Sequence, residues 1–124
     1  MKLKFNEAGK EGLDLIQPLW EKLNDHHLNQ ASDFKEHYKK FTFHERKEVL
    51  LNKTPEGDMF ICLVEDEESG TLLGYIVTTI SPGNEGEIDS IYVEEEYRLM
   101  GIGDTLMQRS IKWMDGKNVK TKKV

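Results

Sequence analysis

The passage from Ile88 to Gly103, Ile-Asp-Ser-Ile-Tyr-Val-Glu-Glu-Glu-Tyr-Arg-Leu-Met-Gly-Ile-Gly, constrains this chain more than any other. A β-rich stretch ends at Val93, an acidic connector follows, and a glycine-bearing turn opens a helix expected from about Asp104 to Asp115. Leu106, Met107, Ile111 and Met114 form one apolar stripe on that helix, and Gly116 is well placed to stop it. The first amides of a helix are unpaired and carry partial positive charge, so a strand entering a helix through such a turn can hold a phosphate or pyrophosphate. Glycines let the ligand approach the main chain, and Arg98 can add a charge-assisted contact. Two common glycine loops do not fit. A dinucleotide fingerprint needs a glycine where Leu106 stands, and a nucleotide P-loop needs Lys and Ser or Thr where Asp104 and Thr105 stand. From the glycines alone, a plain strand-to-helix turn with no ligand is the remaining alternative.

Around this passage the chain divides by periodicity. Lys2 to Phe5 reads as a short first strand, and Leu13, Ile16, Leu19, Trp20 and Leu23 recur at helical spacing from about Lys10 to His27. Pro18 lies inside that run as a kink or a break. Phe34, Tyr38 and Phe41 repeat the spacing, and further helical turns cover Glu45 to Leu51. The Pro55-Glu56-Gly57-Asp58 turn ends the helical half. Met59 to Glu65 and Leu72 to Ile80, joined by the polar turn Asp66 to Gly70, form an antiparallel hairpin. After the Ser81-Pro82-Gly83-Asn84 turn, Glu87 to Val93 is a strand with Glu87, Asp89, Ile91 and Val93 alternating against Ile88, Ser90 and Tyr92.

Length and charge narrow the function. A chain of 124 residues fits one domain, 1–124, and a formal charge of −6 argues against a nucleic-acid partner. No apolar run approaches the roughly 20 residues that span a bilayer. Met1 to Lys10 has no signal-peptide core, so the default compartment is the cytoplasm. Residues 85–96 hold six acids and no base, a balance that favours a cationic partner such as an amine. The single cysteine, Cys62, sits in an apolar strand and reads as a small buried hydrophobe. His26, His27, His37 and His44 lack the paired spacing of a zinc site, so no metal is expected. Met100, Met107 and Met114 read as core filling.

Arg98-Leu99-Met100-Gly101-Ile102-Gly103 resembles the Arg/Gln-x-x-Gly-x-Gly/Ala signature of the GNAT superfamily of N-acetyltransferases. Glu87 to Val93 is similar to that family's fourth strand, and the order of elements upstream is similar too. The resemblance implies a GNAT-like acyl-CoA acyltransferase fold, an α/β arrangement with a mixed, mainly antiparallel sheet flanked by helices. It implies acetyl-CoA as cosubstrate, its pyrophosphate on the main chain of Arg98, Leu99, Met100, Gly101, Ile102 and Gly103, with Asp104 just inside the helix. Its pantetheine arm and thioester carbonyl would then lie on the main chain of Ile91, Tyr92 and Val93.

The resemblance further implies acetyl transfer to a primary amine on a small molecule or peptide. An amine nucleophile must lose a proton, so a base or a water relay is needed. Glu87 lies eleven residues before Arg98, an offset that resembles the base of the histone-acetylating branch, and Asp89 stands in reserve. No general acid is assigned: Tyr92 and Tyr97 do not match its position, and Tyr75 reads as packing. A non-catalytic acetyl-CoA-binding or interaction module with the same fold is the alternative. The family continues beyond its coenzyme-binding helix with a fifth strand and more. Here only Asn118 to Val124 remain, so the fold is expected to be C-terminally incomplete, either as a truncated form or as a homodimer that covers the open edge.

Overall fold

The structure, a computed structural model, describes residues 2–30, 42–54 and 58–123. The expected helical turns at Phe34, Tyr38 and Phe41 and the turn residues 55–57 lie outside them. Among the described residues, five strands, β1 (Leu3–Ala8), β2 (Asp58–Asp66), β3 (Leu72–Ile80), β4 (Glu85–Val93) and β5 (Thr121–Lys123), form one sheet in chain order. The first three pairings are antiparallel and β4–β5 is parallel, giving the mixed, mainly antiparallel sheet that the resemblance implies. Helices α1 (Gln17–Gln30) and α2 (Phe43–Lys53) accompany one face, and α3 (Ile102–Gly116) covers the other.

Residue alternation in β2 builds both faces of the core. Met59, Ile61 and Leu63 pack with Leu13, Ile16, Trp20 and Leu50 under α1 and α2, while Phe60, Cys62 and Val64 pack with Ile102 and Leu106 of α3. The run from Lys10 is two elements rather than one helix: a 3-10 segment, Lys10–Ile16, leads into α1. Pro18 is the second residue of α1, where its missing N–H would have no intrahelical partner anyway.

Two expectations for α3 change. Its buried stripe is Ile102, Leu106, Ser110 and Met114, with Ile111 exposed and Met107 half-buried, because the face turned to the sheet repeats every four residues. Ser110 is tolerated there because its hydroxyl accepts a hydrogen bond from Thr78 Oγ1 at 2.7 Å. Gly116 is the last helical residue, but the left-handed residue that stops α3 is Asn118, at φ 55°. The Asn118 N–H bonds Asp115 C=O and the Val119 N–H reaches Met114 C=O, so the freed carbonyls are satisfied. Met114 is fully buried and Met100 is half exposed, so the methionines do not share one core role.

Candidate active site

The site grows from an irregularity in β4. The pairing steps from Val77–Ser90 to Thr78–Ile88, which leaves Asp89 as an extra residue, a β-bulge. The expected alternation therefore fails at that point. Ile88, Ile91 and Val93 pack on the α3 side, whereas Ser90 and Tyr92 turn to the α1/α2 side. Asp89 and Glu87 also reach that side, where both meet Lys53 at the end of α2.

The ladder fixes which main-chain groups of β4 remain available. Glu94 N–H donates to Leu73 C=O at 2.8 Å, which makes Gly74–Val93 a non-hydrogen-bonded pair. Antiparallel pairs alternate, so Tyr92 and Ser90 spend their main-chain groups on β3, while those of Ile91 and Val93 point away from it. On that outer side β5 pairs with Glu85, Gly86 and Glu87 only. Among the described residues, the result is an open strip of edge at the main-chain groups of Ile91 and the N–H of Val93. Tyr92, expected to share the main-chain role, has no outward backbone group; its side chain packs on the core and its hydroxyl donates to Glu94 Oε1 at 3.0 Å. Burial, and then the bond to Glu94, raises the Tyr92 pKa above the usual phenol value.

Beyond Val93 the connector is a 3-10 segment, Glu95–Met100, that ends at Gly101 with φ 76° and ψ 10°. This left-handed residue is also the cap of α3, and among the described residues no side chain caps the helix start. The amides of the first turn, Ile102 to Asp104, therefore precede the first intrahelical bond, in which Thr105 N–H meets Gly101 C=O. Among the described residues, a Cβ placed on Gly101 or Gly103 would meet nothing within 4 Å, so both glycines border open space at the start of α3. Arg98 does more than line this space. Its Nε donates to Val93 C=O at 2.8 Å and its guanidinium lies 5.5 Å from the Tyr92 ring centroid, pinning the loop to the strand end. Leu99 and Met100 are exposed at the loop surface.

The two candidate acids differ in their surroundings. The Asp89 side chain is 4% exposed; Lys53 Nζ stands 2.6 Å from its Oδ1, and Thr79 Oγ1 donates to its Oδ2 at 2.6 Å. Glu87 is 37% exposed and meets the same ammonium at 3.1 Å through Oε1. Burial alone would lower the Lys53 pKa, but its hydrogen bonds to Asp89 and Glu87 reverse the effect and raise it. Lys53 and Arg46, whose Nη2 donates to Asp89 C=O at 2.9 Å, contact the candidate acids and were not singled out by sequence reasoning. They stand seven apart on one face of α2, but nothing local ties them to β4. Beneath them Tyr75 is fully buried with its hydroxyl 2.7 Å from Ser90 Oγ, and burial pushes its pKa up to about 12. At the other end of β4, Lys22, Leu73, Tyr92, Tyr97 and the acids Glu94 to Glu96 line a cleft of about 430 Å³.

A bulged strand with an open edge, running into a left-handed glycine and an uncapped helix start, is the layout of an acyl-CoA-dependent transferase. The family profile of the acetyltransferase (GNAT) family matches residues 19–123, and the chain belongs to that family. It is an N-acetyltransferase with acetyl-CoA as cosubstrate. No curated protein sequence matches it significantly. Solved structures share the fold. A GCN5-related N-acetyltransferase from Ralstonia eutropha superposes with a TM-score of 0.70 at 18% identity, over 98% of this chain and 81% of that one. The PaiA N-acetyltransferase from Thermoplasma acidophilum, solved with coenzyme A, gives 0.66 at 21% over 96% and 76%. A Staphylococcus aureus protein classed in the GNAT family gives 0.67 at 20% over 95% and 96%.

Proposed function

We propose that the protein transfers acetyl from acetyl-CoA to a primary amine by direct attack, with Glu87 as the base. The observation that carries this reading is the continuity of open main chain from Ile91 and Val93 to the first turn of α3. The pyrophosphate lies against the Ile102, Gly103 and Asp104 amides, with Gly101 and Gly103 leaving room for it. The pantetheine arm runs along the β4 edge as an added strand and the thioester carbonyl accepts from an outward N–H of that edge. Arg98 holds the loop to the strand so that both segments keep one register. The Thermoplasma protein, which shares the fold and was solved with coenzyme A, supports this reading.

In the reaction the amine gives a proton to Glu87, directly or through water, and its lone pair attacks the thioester carbon. The C–N bond forms, the C–S bond breaks, and the departing thiolate takes up a proton. Glu87 is preferred to Asp89 because it is the more exposed carboxylate, whereas both Asp89 oxygens are held. The six acids of residues 85–96, Glu87 among them, suit a cationic acceptor. Release of free thiol from acetyl-CoA with a panel of primary amines tests the activity. Glu87→Gln should lower turnover by about 10²-fold while leaving acetyl-CoA affinity nearly intact. Unchanged turnover would remove Glu87 from the mechanism.

The chain is taken to act as one domain. An uncovered edge can also accept a second copy of the chain. Solution mass with and without acetyl-CoA tests that pairing: a dimer that dissociates on adding acetyl-CoA supports it, and a monomer under both conditions rejects it.

A further inference from the structure

We infer that Lys53 is a positioning residue for the reaction, anchored by Asp89 so that its ammonium fixes the Glu87 carboxylate on the α2 face of the sheet. The inference rests on the proposed role of Glu87. Asp89 supplies a fixed point: it is the bulged residue, its side chain almost fully buried, with one oxygen on Thr79 and the other 2.6 Å from Lys53. Arg46, two turns earlier on α2, holds the main-chain carbonyl of the same residue at 2.9 Å. Helix α2 thus grips the bulge at two points, and the place of Lys53 relative to β4 is set.

From that place the ammonium spans to Glu87 Oε1 at 3.1 Å, and Oε2 is then the oxygen that takes the proton. Lys53 is the last residue of α2, where the helix dipole favours a cation. Its raised pKa keeps it protonated past the ordinary lysine range, so the tether persists at the alkaline pH where acceptor amines lose their protons. The other charges around Glu87 are less well placed for this task. Lys123 is its partner across the β4–β5 pairing but is exposed, and Arg46 is committed to the Asp89 carbonyl.

The test is steady-state kinetics on Lys53→Met, Lys53→Arg, Glu87→Gln and the Lys53→Met/Glu87→Gln double variant. Lys53→Met should lower kcat roughly tenfold or more by releasing the carboxylate, with KM for acetyl-CoA within about twofold of wild type. Lys53→Arg should recover most of the loss, and Lys53→Met should cost nothing further once Glu87 is Gln. A Lys53→Met/Asp89→Asn variant removes the paired charges together and should show the same loss if Lys53→Met alone does not fold. Wild-type kcat in a folded variant lacking Lys53, or an equal loss in both Glu87 backgrounds, would overturn the inference. If Glu87→Gln itself retains full turnover, the base assignment fails first, and the positioning role falls with it.

Discussion

Gly101 carries a backbone conformation that other residues reach at a cost of about 1–2 kcal/mol. Gly101→Val should therefore lower the unfolding free energy by about that amount and weaken acetyl-CoA binding about tenfold or more, because the loop must shift. Calorimetric titration and urea unfolding on one preparation check both effects. Two buried acids set the alkaline behaviour. Burial pushes the Cys62 thiol from 9.0 to about 11 and the Tyr75 hydroxyl from 10.0 to about 12, so the native state keeps protons that the unfolded chain releases. Their stabilisation is fully present below pH 9 and is lost as pH rises through 11 to 12. Urea midpoints should fall across that window; a flat profile would contradict the burial argument. The sequence placed Glu87 and Asp89 on β4 and Cys62 in the core, because strand pattern and family offset are local signals. It was silent on Lys53 and Arg46. Their partners lie 34 to 43 residues away, and only the packing of α2 on the sheet brings them together.

At the scale of elements, periodicity located the hairpin, β4 and α3 but not the details that break periodicity. A bulge leaves no mark on a hydrophobic pattern when the extra residue is an acid bound to a distant lysine, as Asp89 is. The stripe of α3 misleads for a related reason: Ser110 is polar yet buried, and Ile111 is apolar yet exposed. Ser110→Ala should cost about 1–3 kcal/mol, since the Thr78 hydroxyl would lose its partner inside the core. Thermal unfolding of the variant measures it. At Gly86 the close approach of α3 has a different basis, because a Cβ there would lie 2.5 Å from Met114 Sδ. Gly86→Ala must displace the methionine that seals this end of the sheet, whereas glycine lets β4 meet both α3 and β5.

For the whole molecule, the order of elements and the glycine turn that opens α3 were legible because each rests on contiguous runs of residues. An open edge was expected from the short stretch after α3, but its place along β4 was not, since it depends on where β4 and β5 stop pairing. That edge is central to the account, which requires acetyl-CoA to bind as an added strand between Ile91 and the start of α3. Amide hydrogen exchange followed by NMR tests it most directly. On saturation with acetyl-CoA, exchange should slow at the Ile91 and Val93 amides and at Ile102, Gly103 and Asp104, while the Ser90 and Tyr92 amides, already paired with β3, change little. Saturation that leaves the Ile91, Val93 and Ile102–Asp104 amides exchanging as before would show that the cosubstrate binds elsewhere and would contradict the account.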